Sequence, residues 1–254
     1  MEVASKMTLA RKLAIVGILV PLLVSATRAV AQLSSGNDSI FGSSKRTAGV
    51  LIGILYDFKQ DQKRQQTQLG KEAFEQAVTA FVESGYDEGL LNKYYRVPRA
   101  LYTSQLHIPT INADSAPKAF GVEKMVEPRR WVVHYKGQIA PPEDGTYRFV
   151  GDADDFVFLA INGKTVLVAE HPNTPMHAQW QPKENAPKPY RTSGDWLNLR
   201  AGEPVDIDIV TGESPGGSYR CLIGVQKRGG PILPFRLSVS QDTQVEPGSW
   251  RGIP

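Results

Sequence analysis

The sequence predicts a mainly β chain: an antiparallel β-sandwich with a small helical insertion. Three observations predict it. From Trp131 onward apolar residues recur with a period of two, as strands with one buried face require. Turn signals separate these runs, among them Pro141-Pro142, Asn162-Gly163 and Gly216-Gly217. Helical spacing of apolar residues is concentrated around Gly70 to Ser84. Strands in series with segregated helices indicate a sandwich rather than an alternating α/β fold.

The elements follow in order. Lys6, Arg11 and Lys12 precede an apolar run from Leu13 to Ala26, and Ala29-Val30-Ala31 supplies a small-x-small cleavage site. Residues 1–31 therefore read as an export signal, with an uncleaved N-terminal anchor as the alternative. The run is short for a membrane span. Residues 32–47 are rich in Ser, Gly and Asn and read as a flexible leader. Gly49 to Tyr56 is an apolar run of strand formers. Lys59 to Gln68 is polar and glutamine-rich, a loop or a frayed helix start. Phe74, Ala77, Val78, Phe81 and Val82 give an amphipathic helix, and Tyr86 to Tyr95 has room for a second short one; together they make a helical insertion around 69–95. Arg99 to Ile108 returns to strand character.

Trp131, Val133 and Tyr135 share one face of a strand; Val132, His134 and Lys136 share the other, more polar one. Thr146 to Val150 is the next strand. Phe156–Ile161 and Thr165–Ala169 flank Asn162-Gly163, a favoured hairpin turn because both residues tolerate positive φ. Glu170 to Asp195 is a long connection with five prolines, Trp180 and Tyr190. Connections of that length are usually functional or disordered. Val205 to Val210 alternates apolar residues with Asp206 and Asp208, and Tyr219 to Gln226 is the last clear strand. Residues 229–254 read as a tail, pinned by Trp250.

Charge excludes some partners. Residues 1–31 hold four Lys/Arg and one Glu, so they account for the whole net charge of +3 and leave 25 basic and 25 acidic residues behind. The processed chain of about 220 residues is thus neutral, which argues against nucleic-acid and anionic-membrane partners and predicts no transmembrane span after processing. A single cysteine, Cys221, excludes an intramolecular disulfide; its alternation with Ile223 and Val225 marks a buried thiol.

Four segments, in order, resemble the protective-antigen-type domain, a β-sandwich module found in glycosidases, adhesins and surface proteins. GVLIGILYD (49–57) resembles its opening strand. WVVHYKGQIAPPEDGTYRF (131–149) resembles its signature with Pro-Pro-x-x-Gly-x-Tyr. DADDFVFLAINGKTVL (152–167) resembles its Asp-Asp…Asn-Gly-Lys signature, and LRAGEPVDIDIVTGESPGGSYRCLIG (199–224) its closing strands. The resemblance spans residues 48–228 and is least typical over 59–98. It implies the sandwich fold. It also implies, more weakly, carbohydrate binding without catalysis, since the same module serves as a scaffold.

In the sugar-binding members, two consecutive aspartates joined by a cis peptide hold a calcium ion, which coordinates sugar hydroxyls. Asp154 and Asp155 match that pair. Calcium takes six to eight oxygen ligands. The resemblance looks to the loop after the penultimate strand for the rest: Glu213 as a carboxylate, with Gly216 and Gly217 as carbonyl donors. That loop lacks the expected Asp or Asn. Asp152 is either a further ligand or an exposed strand-edge residue. For Asp154-Asp155 the alternative is a turn whose carboxylates cap backbone N–H groups. Trp180 and Tyr190 either stack on a sugar or anchor their loop.

Other chemistry is not signalled. His134, His171 and His177 match no zinc spacing. Adjacent aspartates cannot flank a scissile glycosidic bond from both sides. No nucleophile elbow or phosphate-binding loop is present in the sequence. The expected function is non-catalytic binding of an extracellular or cell-surface glycan by a secreted, periplasmic or surface protein. The competing expectation is an assembly protein of the cell envelope that binds a protein partner and needs neither calcium nor sugar.

Overall fold

The main strands are β1 (Leu51–Asp57), β2 (Tyr95–Thr103), β3 (His107–Asn112), β4 (Trp131–Ala140), β5 (Gly145–Asp154), β6 (Phe156–Ile161), β7 (Lys164–Glu170), β8 (Val205–Glu213), β9 (Ser218–Lys227) and β10 (Trp250–Ile253). They come from a computed structural model that describes residues 38–172, 184–238 and 249–254. The expected export signal and its cleavage site lie outside the described residues, as do His177, Trp180 and the first part of the leader.

Two sheets face each other. In the first, β2, β1, β4, β8, β6 and β7 are successive neighbours, and β10 also pairs with β4. In the second, β5 and β9 are central, flanked by β3 and by short strands at Thr192–Ser193, Leu197–Leu199 and Ile232–Pro234. All pairings between these strands are antiparallel. The predicted alternation is what builds the core. Trp131, Val133, Tyr135 and Ile139 of β4 meet Tyr147, Phe149 and Ala153 of β5 and Tyr219, Cys221 and Ile223 of β9 between the sheets. Cys221 is fully buried, and burial pushes its thiol up to about 12. The predicted hairpin is formed: Asn162 and Gly163 have φ of 51° and 74° between β6 and β7.

The helical segment packs on the outer face of the first sheet. Helix α1 (Lys71–Glu83) buries Phe74, Val78, Phe81 and Val82, and Gly85, at φ 77°, follows it. A 3-10 turn at Glu88–Leu91 takes the place of the expected second helix. These side chains pack on Ile54, Tyr56, Val132, Phe158, Ala160 and Val210. Burial of each large apolar side chain contributes about 1.5–3 kcal/mol. His134, expected on a polar strand face, is therefore buried (1% exposed), because the insertion seals that face from water.

The C-terminal segment differs from the expected tail. Trp250 is buried against Tyr147, Phe149 and Phe235, and β10 extends the first sheet alongside β4. A fully apolar indole face outweighs the polar character of its sequence neighbours. The Lys59–Gln68 segment is a loop. Its base is a buried ion pair between Lys59 and Asp57 at 2.5 Å, and Gln60 also donates to Asp57.

Gly212 is tightly packed where β8 runs between β4 and β6. A Cβ on Gly212 would lie 2.4 Å from the Trp131 carbonyl oxygen and 2.7 Å from the Phe156 ring. Gly212→Ala is expected to cost about 1–3 kcal/mol in urea unfolding, because backbone as well as side chain must give way. An unchanged urea midpoint would show that the β4–β8 pairing is looser than this contact implies.

Candidate functional site

The end of the sandwich where β5 turns into β6 carries the acidic pair. β5 ends at Asp154, β6 begins at Phe156, and the Asp154–Asp155 peptide is cis. Asp154 is half-buried at the rim. Asp155 is 4% exposed and points inward. The Ser214 N–H donates to its Oδ2 at 2.7 Å, and the His171 N–H donates to its carbonyl at 2.7 Å.

Glu213 reaches the same place from β8. Its register partner is Trp131, and it is 1% exposed. The Gly216 N–H donates to Oε1 at 2.9 Å. Oε2 is buried and, among the described residues, has no donor. The Glu213 side chain also lies against the Asp155 carboxyl, another acceptor when ionised. Ser214, 2% exposed, adds a buried hydroxyl oxygen that also lacks a partner. A proton or a cation must sit among these oxygens if Asp155 and Glu213 are not to repel each other. Burial, and then the charge of Asp155, push Glu213 up to about 9, which favours a proton there when no cation is bound. Burial also raises Asp155, against the opposing donation of the Ser214 N–H.

These residues suit a hard cation. Every candidate donor is oxygen, two of the oxygens lack partners, and the two carboxyls share an excess of negative charge once deprotonated. Among the described residues no group of three or more His, Cys, Asp or Glu side chains stands ready-made as a metal site. The Ser214 hydroxyl, backbone carbonyls and water would therefore complete a coordination shell. Gly216 and Gly217 adopt φ of 96° and 112°, which lets the loop fold back over the carboxylates. The Gly217 carbonyl already accepts from the Ala113 N–H at 2.8 Å, so it is less free than expected.

Three other expectations resolve differently. Asp152 joins neither the acidic pair nor a strand edge. It is 5% exposed and ion-paired with Arg191 at 3.3 Å and Arg220 at 3.0 Å. Tyr190 is 7% exposed and packs on Val150 and Leu222, which favours the anchoring reading. Trp180 lies outside the described residues. Sequence reading, which drew Glu213, Gly216 and Gly217 from this loop, did not single out Ser214. It also missed Trp196, whose ring lies between Arg148 and Arg228, 4.5 and 4.8 Å from its centroid. With a guanidinium beside it from each arginine, that ring is poorly placed to stack on a sugar.

A family model described as the PA14 domain matches residues 87–219, just over half of the chain. Among solved structures the chain is similar to a PA14 sugar-binding domain from an RTX adhesin. The identity is 16%, over 74% of this chain and 96% of that one, with a TM-score of 0.46. It is similar to the PA14 domain of the MpAFP antifreeze protein, at 17% identity over 80% and 92% of the two chains, with a TM-score of 0.43. The Epithelial Adhesin 6 A domain from Candida glabrata, in complex with Galb1-3GlcNAc, is similar at 12% identity over 83% and 94%, with a TM-score of 0.45. No curated protein matches the chain.

Proposed function

We propose that this chain, which belongs to the PA14 domain family, is a non-catalytic module that binds an extracellular or cell-surface carbohydrate through a calcium ion held by Asp154, Asp155 and Glu213. The observation that carries this reading is the buried meeting of Asp155 with Glu213, where Glu213 Oε2 and Ser214 Oγ have no partner among the described residues. Such an arrangement costs free energy unless a cation or proton occupies it.

The chain's own residues divide the work. The Ser214 and Gly216 N–H groups orient the two inner carboxylates. Asp154, only half-buried, is the member of the pair that a ligand would reach first. Gly216 and Gly217 give the opposing loop its shape. A bound calcium ion would supply coordination positions that vicinal sugar hydroxyls fill in place of water.

One observation favours the assembly reading instead. The Ser214 N–H already ties the two loops together through Asp155 without metal, and the Gly216 N–H folds its own loop onto Glu213, as a purely structural turn would. Calorimetry separates the two. With residues 32–254, calcium is expected to bind at micromolar to millimolar Kd, a range flexible oxygen sites commonly occupy. The variant with both Asp154→Ala and Asp155→Ala is expected to release no heat. Absence of heat and of thermal stabilisation in the unaltered protein would discard the calcium reading in favour of assembly.

A further inference from the structure

The outer face of the second sheet carries a feature that the acidic pair does not explain. Arg191 and Arg220 both converge on the single carboxylate of Asp152. Asp152 is almost fully buried, whereas the arginine side chains stay 38% and 24% exposed. One carboxylate balances only one guanidinium, so the trio retains a unit of positive charge. Arg191 Nη1 and Arg220 Nε are buried and have no hydrogen-bond partner among the described residues, so the donors open to a ligand are those on the exposed edges of the two guanidiniums; Arg220 Nη1 also approaches the Thr110 hydroxyl at 3.4 Å.

This cationic trio lies next to the proposed sugar site. Arg220 is the direct cross-strand partner of Asp154. Side chains directly opposite in an antiparallel pair are separated by about 5 Å at Cβ. Asp152 precedes Asp154 by two residues on the same strand face, about 7 Å along β5. A glycan seated at Asp154 would therefore present its neighbouring substituent to Arg220 and then to Arg191.

We propose that the glycan is acidic, and that Arg220 and Arg191 bind a carboxylate or sulfate on the sugar unit seated at Asp154 or on the unit next to it. This rests on the carbohydrate reading above and narrows its ligand class. Arginine suits the task because its planar fork meets a carboxylate or sulfate with two parallel hydrogen bonds. Asp152 acts as a positioning residue: buried between the two guanidiniums, it holds both without exhausting their donors.

The test uses residues 32–254 with calcium at about 0.15 M salt, where loosely held counter-charge is screened. The probes are polygalacturonate, alginate, hyaluronate and dextran sulfate, each beside a neutral counterpart: the methyl-esterified or carboxyl-reduced polymer, or plain dextran. At least one acidic polymer is expected to bind about tenfold or more tightly than its neutral form, as one charge-assisted hydrogen bond supplies. The carboxylated and sulfated arms identify the anion. Arg220→Gln should erase the preference while calcium still binds, and Arg220→Lys should restore only part of it. Should Arg220→Gln fail to fold, Arg191→Gln, at the more exposed position, carries the same comparison. Equal binding of neutral and acidic forms would overturn this proposal and leave the carbohydrate reading intact. Binding to no polymer of either kind would overturn both.

Discussion

Glu213→Gln is expected to raise the melting temperature of the calcium-free protein at neutral pH and to remove its response to calcium. In the native fold Glu213 is buried beside Asp155 and pushed up to about 9. In the unfolded chain it returns to its ordinary value near 4.5. The folded state thus binds the proton more tightly than the unfolded state. The associated stability is fully present below about pH 4.5 and is lost progressively as pH rises toward 9. Asp155, also raised, works in the same direction. Glutamine keeps the volume, cannot ionise, and offers an amide N–H to the Asp155 carboxylate. The advantage of the variant should therefore widen from pH 5 to pH 9. Calcium reverses the ranking, because it needs the deprotonated carboxylate. At a concentration about 100 times its Kd it would stabilise the unaltered protein by about 2.7 kcal/mol and the variant by far less. Thermal melts at pH 5, 7 and 9, with and without calcium, check this. A variant that still responds to calcium would remove Glu213 from the site.

The second large effect lies beneath the helical insertion. His134 Nε2 meets Asp208 Oδ1 at 2.8 Å, and Nδ1 lies 3.3 Å from Glu88 Oε1, which also binds Lys136 at 2.6 Å. Phe81 packs edge-on to the imidazole, and Tyr86 lies roughly parallel to it. Burial pulls the imidazole down, but hydrogen bonds to Asp208 and Glu88 outweigh it and hold His134 above its usual value. His134→Leu preserves the packing and leaves two carboxylates facing an apolar group. The expected loss is about 2 kcal/mol or more at pH 6, short of the cost of a fully buried pair because Glu88 is partly exposed. The sign again follows from linkage. A raised histidine contributes below its unfolded value near 6.5, and that contribution fades as pH climbs through the folded value. The deficit of His134→Leu should therefore shrink above neutrality. Glu88, lowered to about 2 mainly by its hydrogen bond to His134, loses its own contribution only under strong acid. Urea midpoints across pH 5 to 9 measure the histidine trend, and their extension to pH 2 measures the glutamate one. Unlike the Glu213 effect, this one should ignore calcium. A pH-independent deficit would mean that His134 is neutral in the fold.

Much of this molecule is legible in local sequence. Asn162-Gly163 specifies its own turn because the positive φ that both residues adopt is a local property. The Asp154-Asp155 pair and the Gly-rich loop after β8 are equally local, so their positions can be read directly. What cannot be read is what long-range register brings together. Arg220 faces Asp154 only because β9 pairs with β5 in one particular register. Ser214 meets Asp155 across 59 residues. The burial of His134 requires both Asp208, 74 residues away, and a helix laid over a strand face that looks polar on its own. Trp250 is buried in the core although its sequence neighbours Ser249 and Arg251 are polar, since one large apolar side chain can dock a strand whose alternate residue, Arg251, stays exposed.

The register that pairs Trp131 with Glu213 gives the protein an optical property. The indole of Trp131 is fully buried and lies 5.1 Å from the Tyr219 ring. Its strand partner is the carboxyl group whose charge state is in play. Indole emission responds to nearby charge, and in this shielded setting the field of one carboxylate is weakly screened. Occupancy of the acidic pair should therefore be written into the intrinsic fluorescence of the chain. Trp131→Phe would identify which part of the signal belongs to that chromophore, without attaching any external dye.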